Sequence, residues 1–277
     1  RRSPGEAILC VPCTPNSFNS TIDVGHVASQ GMFWSGGLSA QDATDIVSYN
    51  QNNDRLSRFG VWSGGLNFEN RLISFTEQGH GYGLVQHGMA DLFLLQLYSE
   101  IAHDCSRGSW TCFETRGLPN WTPAGGYATP SQAVVPLHVR WMLLFEDPIN
   151  NTVALLKATP RSWLRSGERI SVGHAPLGRD RVSFEVVSQL DAPVPTVTAN
   201  ISLDDTNTTA LPRMSITLRV PKPWRMISVA VNGVAWETFN AENELIDLPL
   251  LGSKGLVVVA TYSKTFANII KNLDLVG

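Results

Sequence analysis

The sequence predicts an α+β chain in two parts, a helical first half followed by an antiparallel β-sandwich. The first observation behind this is a change of period near residue 150: apolar residues recur every three or four positions before it and every two after it. The second is Asn232-Gly233 between the apolar runs of "ISVAVNGVAW". A type I′ turn needs positive φ at both central residues, so this dipeptide is a strong hairpin signal. Composition agrees: 277 residues, 43% hydrophobic and 16% charged, suffice for packed cores in one large or two ordinary domains. The predicted parts are 1–149, 150–262 and a tail, 263–277.

Taken in order, Ser39 with Asp42 resembles a capping box and opens a polar, exposed helix. "FWSGGL" at 33–38 recurs as "VWSGGL" at 61–66, either as a recurring turn with a packed Trp or as hairpin loops that place Trp34 and Trp62 at one end of a helical array. The glycines of "FTEQGHGYGLVQHG", residues 75–88, predict a loop before a helix that begins at Val85. From there Met89, Phe93, Leu94, Leu97 and Ile101 mark one helix face. A second helix is expected over Ser131–Glu146, with Pro136 tolerable near its first turns and an end at Asp147-Pro148. Beyond it, "RVSFEVVS", "TVTANISL" and "RMSITLRV" alternate as half-buried strands, and Phe266, Ile269, Ile270 and Leu273 suit a short amphipathic tail helix.

Several classes are excluded. With 24 acidic and 21 basic residues, a net charge of -3 and no Lys/Arg block, the chain lacks the footprint of a nucleic-acid binder. Its longest apolar runs fall far short of the roughly 20 residues of a membrane span. "RRSP" at the start is neither an initiator Met nor a secretory signal, so the chain reads as a processed product or a piece of a longer one. The four cysteines form close pairs, Cys10 with Cys13 and Cys105 with Cys112, without the ligand pattern of zinc. Sequons at Asn19, Asn120, Asn150, Asn200 and Asn207 favour disulfides and a secreted, glycosylated protein. Four buried thiols are the other reading. A bridge from Cys105 to Cys112 is expected, closing a loop just before Glu114. No cofactor or metal is expected.

Eight tryptophans and scattered carboxylates suit a sugar cleft, since a pyranose offers C–H faces for stacking and hydroxyls for hydrogen bonds. Trp141, Trp163 and Trp236 are assigned to packing. Trp110 and Trp121 fit a cleft wall or a core equally well. In "GSWTCFETRG", residues 108–117, Glu114 is expected on a loop, with Arg116 keeping it ionised. Glu77 and His80 are candidate substrate contacts.

Three segments carry a family resemblance: "GSWTCFETRG", "GGYATPSQAVVPLHVRWMLLFED", and "LLKATPRSWLRSGERISVGHAPLGRDRVSFEVVS" leading to "LRVPKPWRMISVAVNGVAWETF". Together they resemble the end of a six-hairpin, (α/α)6-barrel glycosidase, particularly the α-L-rhamnosidases and their relatives. The resemblance implies a partial (α/α) six-hairpin toroid before the sandwich, and an inverting glycoside hydrolase whose general base is Glu114. It implies an oligosaccharide or glycoside substrate and carries over no residue but Glu114; the candidate sugar contacts Trp110, Arg116, Trp121, Glu77, His80 and Trp62 rest on the residues themselves, and the extracellular location on the sequons and cysteines. The stretch at 160–172 is its most specific segment and speaks to fold more than to chemistry.

The motif holding the family's general acid has no counterpart here. Six hairpins need around 350 residues at ordinary helix and loop lengths, so the expectation is a chain inactive alone, completed by the missing N-terminal half of the barrel. Two other classes compete. A polysaccharide lyase would use a Tyr/His pair near 80–87 to abstract a proton beside a uronate, and a non-catalytic fragment would bind carbohydrate without turnover.

Overall fold

The computed structural model describes residues 38–51, 57–58, 61–64, 69–73, 77–106, 108–117, 123–178, 180–204, 212–249 and 255–264. Expectations for Trp34, Trp121, Cys10, Cys13, the sequons at Asn19, Asn120 and Asn207, and the tail helix lie outside the described residues. The chain divides into two compact units, 1–143 and 144–277.

In the first unit, helix α1 (Ala40–Gln51) starts as its sequence predicts: the Asp42 N–H donates to Ser39 Oγ at 3.1 Å. Three further helices follow, α2 (Glu77–Gln86), α3 (Ala90–His103) and α4 (Thr129–Leu143). The helical reading of this half needs correction, because it also holds an antiparallel sheet in the order β1 (Ser57–Arg58), β2 (Val61–Gly64), β3 (Glu69–Ile73), β4 (Phe113–Gly117), β5 (Pro123–Tyr127). Strands of two to five residues are too short to display a period.

The Gly-rich stretch expected as a loop is helix α2. Its glycines serve packing: a Cβ on Gly81 would lie 2.4 Å from His138 Nε2 of α4. The predicted helix from Val85 is interrupted at Gly88, whose φ of +74° closes α2 with paired bonds, Met89 N to Leu84 O at 2.8 Å and Gly88 N to Val85 O at 3.1 Å. Phe93 and Leu97 then bury the expected face of α3. Pro136 lies in the interior of α4 rather than its first turns, on an exposed position. The helix stops at Leu143, and 144–147, expected as its last turn, is a strand.

The second unit is strand-rich. One sheet runs β13 (Val234–Ala235), β12 (Trp224–Val231), β16 (Leu256–Lys264), β10 (Thr196–Leu203), β9 (Asp180–Gln189), β8 (Arg169–Leu177), all antiparallel. The other runs β14 (Phe239–Asn240), β15 (Leu245–Asp247), β11 (Arg213–Thr217), β7 (Thr152–Leu155), β6 (Leu144–Asp147), with β11 and β7 parallel. Burial alternates along β9, where Val182, Phe184 and Val186 turn inward. The hairpin turn forms as read, with φ of 51° at Asn232 and 80° at Gly233. This is a mainly antiparallel, two-sheet unit, consistent with a sandwich.

The 160–172 stretch ties these sheets. Its 3₁₀ turn (Arg161–Leu164) buries Leu164, whose carbonyl accepts from Ser188 Oγ at 2.9 Å, and Arg161 reaches Glu244 Oε1 and Val220 O, both at 2.7 Å. Among the tryptophans assigned to packing, Trp141 is buried and Trp236 is held by a bond from its Nε1 to Asp247 O at 2.7 Å. Trp163 is 36% exposed, because the short 3₁₀ turn has room for only one inward side chain, and Leu164 takes it.

Candidate functional site

Glu114 and Arg116 stand on strand β4 rather than on a loop. Pairing with β3 and β5 fixes that strand, and the preceding loop is closed by the predicted Cys105–Cys112 disulfide. Ser106 braces that loop, accepting from the Thr111 N–H at 3.1 Å. The loop presents Trp110, 63% exposed with a φ of 53°, so the tryptophan that suited either cleft or core stands in solvent. Gln132 of α4 donates to the Cys112 carbonyl and anchors the strand's entry.

Glu114 is half-buried, and among the described residues its carboxylate makes no hydrogen bond or ion pair. Arg116, expected to hold Glu114 ionised, is engaged elsewhere. Its guanidinium lies over the Phe113 ring, 4.8 Å from the centroid, and Phe113 stacks on Tyr127 at 4.5 Å, across the β4–β5 pair that places the two rings opposite each other. Its charge also acts on Asp104.

The remaining predicted residues scatter. Glu77 is the first residue of α2 and Trp62 lies in β2. Ser63, Leu72 and Arg116 are in register across β2, β3 and β4, so Trp62 is two strands from Arg116 in the same sheet. His80 is three residues into α2 and points into the helical core, where its Nδ1 meets Gln96 Oε1 at 2.7 Å. The residue is half-buried overall, but Nε2 is enclosed. Burial, helped by His138 and opposed by the Gln96 bond, lowers its pKa from 6.5 to about 4.

His80 belongs to a constellation that the sequence reading missed. Gln96, Glu100 and Asp104 repeat every four residues along α3, and His138 of α4 sets its Nδ1 3.5 Å from Glu100 Oε2. The His138 ring packs edge-on to Phe93 at 5.3 Å and beside Trp141 at 5.6 Å, and Trp141 meets Tyr82 at 5.3 Å. Burial raises the Glu100 carboxyl well above its usual range. Burial and then Glu100 do the same to Asp104, against the pull of Arg116. The signal was available: polar residues at i, i+4 and i+8 on the face that also carries Phe93 and Leu97 are out of place on an apolar stripe.

Chemically, the surface around β4 offers the half-buried Glu114 carboxylate, an exposed indole and a stacked cation–aromatic wall. The interior part offers neutral acids and a neutral imidazole that substrate does not reach. Among the described residues no group of three or more His, Cys, Asp or Glu is arranged to hold a metal ion, and no helix is long and apolar enough to cross a membrane.

Comparison of the sequence with protein-family models and with curated proteins gives no match. Among solved structures, a GH127 β-arabinofuranosidase aligns over 87% of this chain and 42% of its own length, at 12% identity and a TM-score of 0.35. A structure described as a glycoside hydrolase aligns over 69% of this chain and 34% of its own, at 14% identity and a TM-score of 0.32. Both weak structural neighbours are thus glycoside hydrolases, and this chain spans less than half the length of either. Scores at this level transfer neither a fold nor a substrate.

Proposed function

We propose that the chain is a carbohydrate-active protein, the C-terminal portion of an inverting glycoside hydrolase of α-L-rhamnosidase-like type, with its first unit part of an (α/α) toroid. The observation that carries this reading is Glu114: a half-buried carboxylate free of protein partners among the described residues, on a strand four residues from the exposed Trp110. An ionised carboxylate in that setting can take a proton from water as the water attacks a sugar carbon, with the indole packing on the ring. Arg116 acts here through Phe113 and Tyr127, stiffening the wall beside Glu114.

Inversion also needs a protonated carboxyl roughly 6.5 to 9.5 Å across the sugar. Glu100 and Asp104 have raised pKa values but are 0% and 1% exposed, so no glycosidic oxygen reaches them. Neither is then the acid, and the reading takes that group from the half of the barrel that the family resemblance implies, so the expectation is that the 277-residue chain alone turns over no glycoside. In the protein with a complete barrel, Glu114→Gln abolishes turnover of an aryl α-L-rhamnoside while affinity stays within a few fold, because an amide hydrogen-bonds but does not accept the proton. Hydrolysis by the isolated chain that survives Glu114→Gln would overturn the assignment. The lyase alternative loses support from the burial of Tyr82 and the enclosure of His80 in the helical core. Sugar binding by the complete protein without turnover would favour a non-catalytic role.

A further inference from the structure

We propose that the exposed face of the six-stranded sheet carries a separate binding site for an uncharged saccharide, independent of Glu114 and in the other unit. The site is a groove of about 520 Å³ across β8, β9, β10 and the start of β16, inside the roughly 300–1,000 Å³ range of small-molecule sites.

Register builds it. Ser171 pairs with Glu185, Glu185 with Asn200, and Asn200 with Val257, so one row of outward side chains crosses four strands. At 4.7–4.9 Å between strands that row spans about 14 Å, longer than one sugar ring. A second row pairs Ser183 with Ser202. Beside it, β8 bulges between Val172 and Ala175 and turns His174 to a φ of 52°. A non-glycine residue in the left-handed region is strained and persists only where its surroundings hold it. Three contacts do so: the His174 N–H donates to Ser183 Oγ at 2.9 Å, its Nδ1 is bonded to Asp204 Oδ2, and its carbonyl accepts from Arg181 Nη1 at 3.4 Å. With Nδ1 committed to a carboxylate, Nε2 is the ring nitrogen left for a ligand, on a side chain 74% exposed.

The lining selects the ligand class. Hydroxyls, a carboxamide, a carboxylate and an imidazole supply mixed donors and acceptors, which match the hydroxyls of a sugar. Lys and Arg do not line the groove and Glu185 does, so a phosphate or other anion finds no free cation in the lining; Arg169 and Arg181 at its edge are held by Glu185 and, at 3.4 Å, by the His174 carbonyl. Arg169 holds one Glu185 oxygen at 3.0 Å and fixes its direction. The backbones of β9 and β10 are paired on both sides, which closes them to an added peptide strand. Val257, 43% exposed at the end of the first row, offers an apolar spot for a ring's C–H face.

Because Asn200 stands in a sequon and a glycan there would cover the row, the proposal requires it unmodified, and the test is an amide NMR titration of the full chain made in bacteria, with cellobiose, maltose and rhamnose and with glucuronate as the charged control. Shifts that include β8, β9, β10 and the start of β16, with cellobiose and maltose as well as rhamnose, at least about tenfold weaker binding there in Asn200→Ala, and weaker binding of glucuronate are the expected results. His174→Asn, which keeps a residue tolerant of positive φ, should also weaken binding while leaving the rest of the spectrum intact. Glu114→Gln should leave these shifts unchanged, so failure of the catalytic reading would not look like failure of this one. Absence of shifts up to the solubility of all three neutral sugars, shifts elsewhere only, or equal affinity in both variants would overturn it.

Discussion

The two units bury polar groups in different ways. In the second, Arg219 donates to Thr159 O at 2.9 Å, Ser188 to Leu164 O, and Arg161 to Glu244 and Val220, with two exceptions, the Tyr262 hydroxyl and Lys157, whose pKa burial lowers to about 8 against the pull of Asp147, above the acid range. In the first, the carboxyl oxygens of Glu100 and Asp104 accept no hydrogen bond among the described residues, and burial holds both acids toward their neutral forms. A polar group matched by a partner costs little at any ordinary pH, whereas one kept neutral by burial ties stability to protons. The strand-rich unit should therefore be indifferent to pH over a range where the helical unit is not.

The largest expected effect tests that contrast. His80 has a folded pKa of about 4 against 6.5, so its neutral form contributes stability that is complete above 6.5 and is lost as pH falls from 6.5 to 4. For a shift of that size the loss is about 3 kcal/mol. Glu100 and Asp104 have the opposite sign: their raised values give stability that is greatest below the unfolded carboxyl range and drains as pH rises toward the folded values. Between pH 7 and 4 the ΔΔG of His80→Asn relative to the parent should move in the variant's favour by about 3 kcal/mol. Glu100→Gln should move in the variant's favour as pH rises. Hydrogen exchange of α2, α3 and α4 amides reports both, with β9 and β10 as an internal reference. Equal pH dependence in the two units would break the comparison.

Next comes the disulfide. Cys105 and Cys112 are seven positions apart, and a loop that short stabilises by about 2.5 kcal/mol through the unfolded chain. Cys105→Ser with Cys112→Ser should lower the melting temperature of the helical unit alone. It should also free the segment that carries Trp110, read as a lower fluorescence anisotropy of that indole.

What was legible in the sequence follows the same division. The strands of the second unit could be read because register and alternation are local: Val182, Phe184 and Val186 declare their face without knowledge of any partner. Asn232-Gly233 declares its turn in the same way. The first unit's decisive contacts join distant residues. Gly81 and Gly83 lower helix propensity, so the stretch around them reads as loop until His138, 57 residues later, is seen to fill the space a Cβ would take. Glu114 was legible as a candidate, and its strand and the engagement of Arg116 with Phe113 and Asp104 were not, because they depend on pairing with Tyr127 and on the end of α3.

That close approach gives the third prediction. Gly81→Ala gains about 1 kcal/mol of helix propensity, but its methyl would sit 2.4 to 3.0 Å from three atoms of the buried His138 ring. Overpacking against a ring fixed between Phe93 and Trp141 outweighs the gain, for a net loss of about 2 kcal/mol. The double variant Gly81→Ala with His138→Ala should lose less than the sum of the two single changes, since each removes the other's conflict. Strict additivity would mean that the helices slide apart instead of clashing.

The smallest effect belongs to the unit whose structure was easiest to read. Asn232 adopts a φ of 51°, and its Oδ1 accepts from the Val257 N–H at 2.8 Å, joining the hairpin turn to β16. Asn232→Ala loses that bond and places a residue less tolerant of the left-handed region in the turn, which costs about 1–2 kcal/mol. Asn232→Gly loses the bond but keeps the conformation, so it should cost about half as much. Both changes should appear as a uniform shift in the denaturant midpoint of the second unit, equal at pH 5 and pH 7, because the lost bond joins a carboxamide oxygen to a backbone N–H and neither titrates there. A pH-dependent cost would show that the strand-rich unit, too, holds a proton-linked contact, and the contrast between the units would narrow accordingly.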